Sequence, residues 1–232
     1  MKTITPDEMR QTEERSEEFG VSRLLLMENA GRSVADHLKT RFGELNGRRI
    51  VVVAGLGNNG GDGFVCARHL AGFGAQVVVV LLGRPNLIRT PEASSNWRVL
   101  ERMNRTVTLM LVADEASLGR LREALIGADG VVDAIFGTGI RGPLREPFAP
   151  AIRLLNGSRG YRVAVDVPSG VDPLTGDVHE VAVAADVTIT FHRLKPGLLK
   201  AADHTGTLVV APIGIPPEAE AGPAEREGPE NP

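Results

Sequence analysis

Arg48-Arg49-Ile50-Val51-Val52-Val53-Ala54-Gly55-Leu56-Gly57-Asn58-Asn59-Gly60-Gly61-Asp62-Gly63-Phe64 is the stretch that decides the fold. Its run of branched apolar residues, free of polar interruption, suits a strand buried on both faces of a parallel sheet. The glycines that follow suit a tight turn into a helix that runs through Cys66 and Leu70. Gly55-Leu56-Gly57-Asn58-Asn59-Gly60 fits the G-x-G-x-x-G spacing in the strand–turn–helix context that gives it meaning. In that context glycines admit a pyrophosphate close to the backbone, and the helix N-terminus offers free N–H groups and a positive dipole end. A nicotinamide-dependent dehydrogenase also needs a carboxylate at the end of the second strand to hold the ribose. Here that strand ends Leu82-Gly83-Arg84, which weakens a dehydrogenase reading.

Outward from this segment, apolar runs alternate with helical patterns. QVVVVLLG, VTLMLV, GVVDAIFG, RVAVDV, DVTITF and TLVVAPIG read as further strands, and all but the last two look buried on both faces. DGFVCARHLAGFG, EASSNWRVLERM, EASLGRLREALIG and FAPAIRLLN read as the helices that cross between them. Upstream, Thr5-Pro6-Asp7-Glu8 supplies a capping box for a first helix. A second helix follows, with Leu24, Met27, Ala30, Val34 and Leu38 on one face. The expected fold is a Rossmann-like three-layer α/β/α sandwich with a mostly parallel sheet, in one domain over residues 1–215. Residues 216–232, rich in proline, glycine and glutamate, are expected to be a disordered tail.

The 232 residues carry a formal net charge of -3, so no basic footprint points to nucleic acid or an anionic membrane. The first residues lack the apolar core of a signal peptide, and no apolar run approaches the roughly 20 residues that span a bilayer. A single cysteine, Cys66, rules out an internal disulfide and fits a reducing compartment, so a cytoplasmic location is expected. Inside a helix that cysteine reads as core. The histidines lack metal-ligand spacing, and neither a G-x-S-x-G elbow nor a P-loop is present.

Two more strand-end loops carry polar groups. Asp133-Ala134-Ile135-Phe136-Gly137-Thr138-Gly139-Ile140-Arg141-Gly142 suits a second phosphate or ribose cradle, although glycine-rich turns of this kind are common. Asp166-Val167-Pro168-Ser169-Gly170-Val171-Asp172 forms a tight turn expected to present Asp166 and Ser169 to one cleft, with Asp172 as a turn residue. A carboxylate at a strand end beside an anionic ligand points to acid/base work or to binding a hydroxyl. Lys195, in Lys195-Pro196-Gly197, reads equally as a solvated turn residue or as a cation that neutralises phosphate or orients a carboxylate.

Taken in order, these motifs resemble the NAD(P)HX epimerase family, also called the YjeF N-terminal domain. Leu26-Met27-Glu28-Asn29-Ala30-Gly31, Gly57 to Gly63 leading into Ala67-Arg68-His69-Leu70, Asp133 to Gly139, Asp166 to Gly170, and Thr190-Phe191 with Lys195-Pro196-Gly197 carry the resemblance, which runs from about residue 5 to 215. It implies an isomerase that interconverts the R and S forms of NADHX and NADPHX, whose nicotinamide ring carries a hydroxyl at C6. It implies substrate contacts from Asn58, Asn59, Gly60, Gly61 and Asp62, from Gly137, Thr138, Gly139, Ile140, Arg141, Gly142 and Pro143, and from Asp166. It further implies a potassium ion on Asn59, Asp133 and Ser169, a homodimer, and an ADP- or ATP-dependent dehydratase as partner, joined to this domain in many bacteria or separate from it. The nicotinamide nucleotide is then substrate rather than cofactor.

The ring nitrogen of such a substrate can expel the hydroxyl to leave an iminium ion, and water can return to either face. Asp166 is the expected acid/base, assisted by Lys195. The competing reading is a nucleotide-binding or scaffold module of the same fold without catalysis, disfavoured by the presence of Asp166 and of intact glycine loops.

Overall fold

A computed structural model of the protein describes residues 2–139, 146–178 and 180–220. Ile140, Arg141, Gly142 and Pro143, expected to touch substrate, lie outside the described residues. So do residues 221–232 of the expected tail.

Helices α1 (Pro6–Glu18) and α2 (Arg23–Phe42) precede the sheet. Then follow β1 (Arg49–Ala54), α3 (Asn58–Gly72), β2 (Gln76–Leu81), α4 (Pro91–Arg102), β3 (Val107–Leu111), α5 (Leu118–Leu125), β4 (Gly130–Ala134), α6 (Phe148–Asn156), β5 (Tyr161–Val165), β6 (Val187–Phe191), α7 (Ala202–Thr205), β7 (Thr207–Ala211) and α8 (Pro217–Glu220). The seven strands pair in the order β3-β2-β1-β4-β5-β6-β7, and every pairing is parallel.

The period of two within each strand divides the core. Ile50, Val52 and Ala54 face α2, α3 and α4, together with Val34, Leu38, Phe64 and Leu70. Val51 and Val53 face α5 and α6, together with Leu121, Ile152 and Leu155. These are the two hydrophobic layers of an α/β/α sandwich. The helix over 22–42 is present, but Leu24 is 45% exposed while Leu26 is buried. The apolar stripe of α2 therefore begins at Leu26 and Met27, and Leu24 stays outside with Leu25. VTLMLV is likewise less buried than its apolarity suggests, because β3 is an edge strand.

Strand order reverses between β1 and β4, since β1 leads to β2 on one side and β4 to β5 on the other. That reversal splays the loops after β1 and β4 and opens a crevice at the carboxyl ends of the strands. α1 lies against this end of the sheet, its start set by the expected capping box: Glu8 N donates to Thr5 Oγ1 at 3.2 Å and Thr5 N donates to Glu8 Oε2 at 2.8 Å. Ile4 N donates to Leu194 O at 2.8 Å, and Ile4 and Met9 enter the core. Pro217–Glu220, which sequence composition places in the tail, form a helical turn against α1 instead. Arg15 Nε donates to Ala219 O, Ala219 is fully buried, and Glu220 pairs with Arg193. Among the described residues no helix is long and apolar enough to cross a membrane.

Candidate active site

Polypeptide geometry makes the first loop a helix start rather than a free loop. α3 begins at Asn58 with Gly57 as its cap, and no side chain caps it, so the first-turn amides are left for a ligand. The glycines behind it serve close approach. A Cβ on Gly60 would lie 2.1 Å from Gly55 O, and one on Gly31 would lie 2.4 Å from Asp62 O. Gly31 thus lets α2 press directly on the turn of α3 that carries Asp62.

A cavity of about 310 Å³ opens over this helix start, at the small end of ligand pockets. Its wall includes Asn58, Asn59 and Asp62 from α3, Gly137, Thr138 and Gly139 after β4, and Asp166 and Lys195. Gly60 and Gly61 lie in this first turn, where a Cβ on Gly60 would meet Gly55 O and one on Gly61 would meet Met27, so both keep the turn compact.

Asp166 follows β5 with φ 65°, in the left-handed region that a non-glycine residue rarely adopts. Such strain costs on the order of 1–3 kcal/mol and collects at functional sites. Here it turns the carboxyl back over the sheet end, where Oδ1 accepts from Thr190 Oγ1 at 3.1 Å, from Phe191 N at 3.1 Å and from Lys195 Nζ. Among the described residues no donor reaches Oδ2. Lys195 has no exposure at all; it also donates to Thr190 Oγ1 at 3.0 Å and to Phe191 O at 2.9 Å. Of the two readings of Lys195, the geometry selects the one in which it orients a carboxylate.

Ser169 does not share the cleft with Asp166. Its hydroxyl donates to Asp133 Oδ1 at 2.6 Å and its N–H to Asp133 Oδ2 at 2.8 Å, while Phe136 N donates to the Ser169 hydroxyl at 2.9 Å. This buried pair ties the loops after β4 and β5 together behind the cavity. Burial pushes the Asp133 carboxyl up to about 6 against the opposing hydrogen bonds from Ser169. Asn59 packs near Gly137, and its Oδ1 and Nδ2 are buried without a hydrogen-bond partner among the described residues. An orphaned buried carbonyl oxygen is costly, and with Asp133 and Ser169 it makes a set of hard oxygen donors that fits a cation. Asp172 behaves as a turn residue, accepting from Leu174 N and Thr175 N at 2.8 Å each.

Sequence reading missed the contribution of α1. Met9 and Glu13, four residues apart, both enter the cavity wall, together with Arg23 at the start of α2. Burial, with the nearby Asp166 carboxylate, pushes the Glu13 carboxyl up to about 7. Asp62 is raised well above the ordinary carboxylate range, first by burial and then by Asp166 and Glu13. The available signal was a lone glutamate four residues after Met9 on the inward side of an otherwise charged helix.

Fold and site together define a Rossmann-like α/β enzyme with a cavity over its topological switch point. The chain belongs to the family described as "YjeF-related protein N-terminus", which matches residues 23–197. It is 44% identical over 219 residues to the NAD(P)H-hydrate epimerase of Nitrosopumilus maritimus, covering 94% of this chain and 98% of that one. It is 47% identical over 219 residues to the bifunctional NAD(P)H-hydrate repair enzyme Nnr of Hyperthermus butylicus, covering 94% of this chain and 40% of that one. A yeast protein of known crystal structure, YNL200c, shares the fold with a TM-score of 0.75 and 29% identity, over 90% of this chain and 88% of that one.

Proposed function

We propose that this NAD(P)H-hydrate epimerase interconverts the R and S forms of hydrated NADH and NADPH in the cavity over α3, with Asp166 as the proton-transferring carboxylate. The observation that carries the assignment of Asp166 is its mooring. Three donors hold Oδ1, and Asp166 lines the cavity with no donor among the described residues on Oδ2.

The uncapped start of α3 receives a phosphate of the dinucleotide, and Gly137 to Gly139 close on the ribose side. The ring nitrogen expels the C6 hydroxyl, leaving a planar iminium ion. The Asp166 carboxylate stabilises that cation and takes a proton from the water that adds to the opposite face. Lys195 is a positioning residue, holding Asp166 in its turn. Asn59, Asp133 and Ser169 would hold potassium, whose charge offsets that of the substrate phosphates. The product suits a dehydratase, and the bifunctional relatives extend well past the region matched here.

The experiment is to incubate the protein with separated R-NADHX and follow the S form chromatographically, subtracting uncatalysed interconversion. A rate above background that is lost in Asp166→Asn supports both activity and role. Full activity in Asp166→Asn removes Asp166 from the chemistry and leaves the epimerase standing. No rate above background, in a protein stabilised by NADP, points to a nucleotide-binding module instead.

A further inference from the structure

Expulsion of the C6 hydroxyl needs a proton donor, and in the direction where Asp166 takes a proton from the incoming water that donor lies outside the Asp166–Lys195 pair. An ammonium group has three protons. Those of Lys195 are engaged by Asp166 Oδ1, Thr190 Oγ1 and Phe191 O. Asp166 Oδ1 accepts from three donors, and its carboxylate is the group that takes the proton of the incoming water. Two arginines in the wall, Arg23 and Arg89, do not surrender protons near neutrality. Two carboxyls remain, Glu13 on α1 and Asp62 on α3.

We propose that Glu13 is the acid of the epimerase, giving its proton to the departing C6 hydroxyl from α1 while Asp166 acts from the sheet. This rests on the epimerase reading of the cavity. The C6–O bond breaks with its electron pair going to oxygen, the Glu13 proton joins that oxygen to form water, and the ring nitrogen lone pair makes the C=N bond. When water adds, its oxygen bonds C6, the C=N pair returns to nitrogen, and the lost proton passes to Asp166 and back through solvent to Glu13. No electrons are gained or lost.

Glu13 is suited to this by what it lacks and by what surrounds it. Its helix neighbours Glu14 and Glu17 are taken by Arg23, whereas Glu13 makes no hydrogen bond or ion pair among the described residues. Its carboxyl lies in the cavity wall, uncommitted. Burial and the charges of Asp166 and Glu14 favour its protonated form, Arg23 and Lys195 favour the ionised one, and the balance falls at about 7. An acid matched to the working pH both gives and regains a proton readily. Asp62 shares the cavity wall and is also pushed up, first by burial, so the test carries it as the alternative donor.

The test compares wild type with Glu13→Gln, Glu13→Asp and Asp62→Asn across pH, by turnover of R-NADHX above background. The wild-type rate is expected to fall as pH rises through about 7, as Glu13 loses its proton. Glu13→Gln is expected to lower kcat by roughly 10²- to 10⁴-fold with KM nearly unchanged, and to abolish that alkaline limb. Glu13→Asp should restore part of the rate and the limb. The proposal is overturned by Glu13→Gln turning over like wild type, or by an alkaline limb that survives in Glu13→Gln and vanishes in Asp62→Asn. A wild-type protein with no activity above background removes the epimerase reading and this proposal with it. Activity in wild type and in Glu13→Gln alike removes this proposal alone.

Discussion

Lys195 Nζ and Asp166 Oδ1 form a buried ion pair in which every ammonium proton has an acceptor and the carboxylate oxygen takes three donors. Lys195 is fully buried and the Asp166 side chain is 12% exposed, so water gives little help to either charge if its partner is removed. Breaking a buried pair from one side costs about 3–5 kcal/mol, most of it from the orphaned charge. Lys195→Met should therefore lose about that much stability in urea denaturation, together with activity. The double variant Lys195→Met/Asp166→Asn should regain part of the stability and none of the activity. A single variant as stable as wild type would show that the pair is not the anchor described above.

Gly31 sets the distance between α2 and the turn of α3 that bears Asp62. A methyl group there would meet Asp62 O at 2.4 Å and Val65 Cβ at 2.5 Å, both in the core of the helix contact. Gly31→Ala should cost about 1–3 kcal/mol by overpacking. Because the strain is delivered to the turn that supplies the cavity wall, KM for R-NADHX should rise as well. Unchanged thermal stability and KM would mean that α2 can slide away freely.

Potassium should bind the folded chain and not the unfolded one. At a hundred times its Kd a ligand of that kind stabilises by about 2.7 kcal/mol. Raising potassium chloride should lift the melting temperature more than choline chloride at the same ionic strength. Asp133→Ala should erase the difference between the two salts. Equal effects of both salts in wild type would leave Asn59 Oδ1 without the cation assigned to it.

His192 titrates in the opposite sense to Glu13. Burial, then Arg193 and Lys195, push it from 6.5 down to about 4, with Glu220 Oε1 3.2 Å from Nε2 and also paired with Arg193. Between those two values the unfolded chain binds a proton that the folded chain excludes. The contribution is present in full above 6.5 and is lost as pH falls towards 4. His192→Asn keeps a residue that tolerates the φ of 64°, so its stability difference from wild type should change across that window and be flat above it. A difference independent of pH would place the proton elsewhere.

Much of this was legible in the chain. β1 and the start of α3 were readable because an unbroken apolar strand and a glycine-rich turn are adjacent in sequence, so one local segment carries both the sheet and the ligand-facing amides. Asp166 was readable because a strand-end carboxylate before Pro168 and Gly170 has few structural uses. Glu13 was hidden in a helix whose charged surface looks solvated, and its role comes from a contact between α1 and the far end of the sheet. Thr190 was read only as part of the family resemblance, and its bond to Asp166 was hidden because the turn at Asp166 is what brings the two together. Ser169 was assigned to the cleft from turn geometry, but its hydroxyl is claimed by Asp133, a long-range partner that no local pattern reveals.

The docking of α1 has a consequence for how the enzyme is made. Its fastenings reach Leu194, and its Arg15 reaches Ala219, 204 positions further along the chain. A ribosome delivers the sheet strand by strand, yet the last of these fastenings forms only when almost the last described residue has emerged. A nascent chain stalled before Ala219 would own every strand and still lack that clasp on the helix bearing Met9 and Glu13.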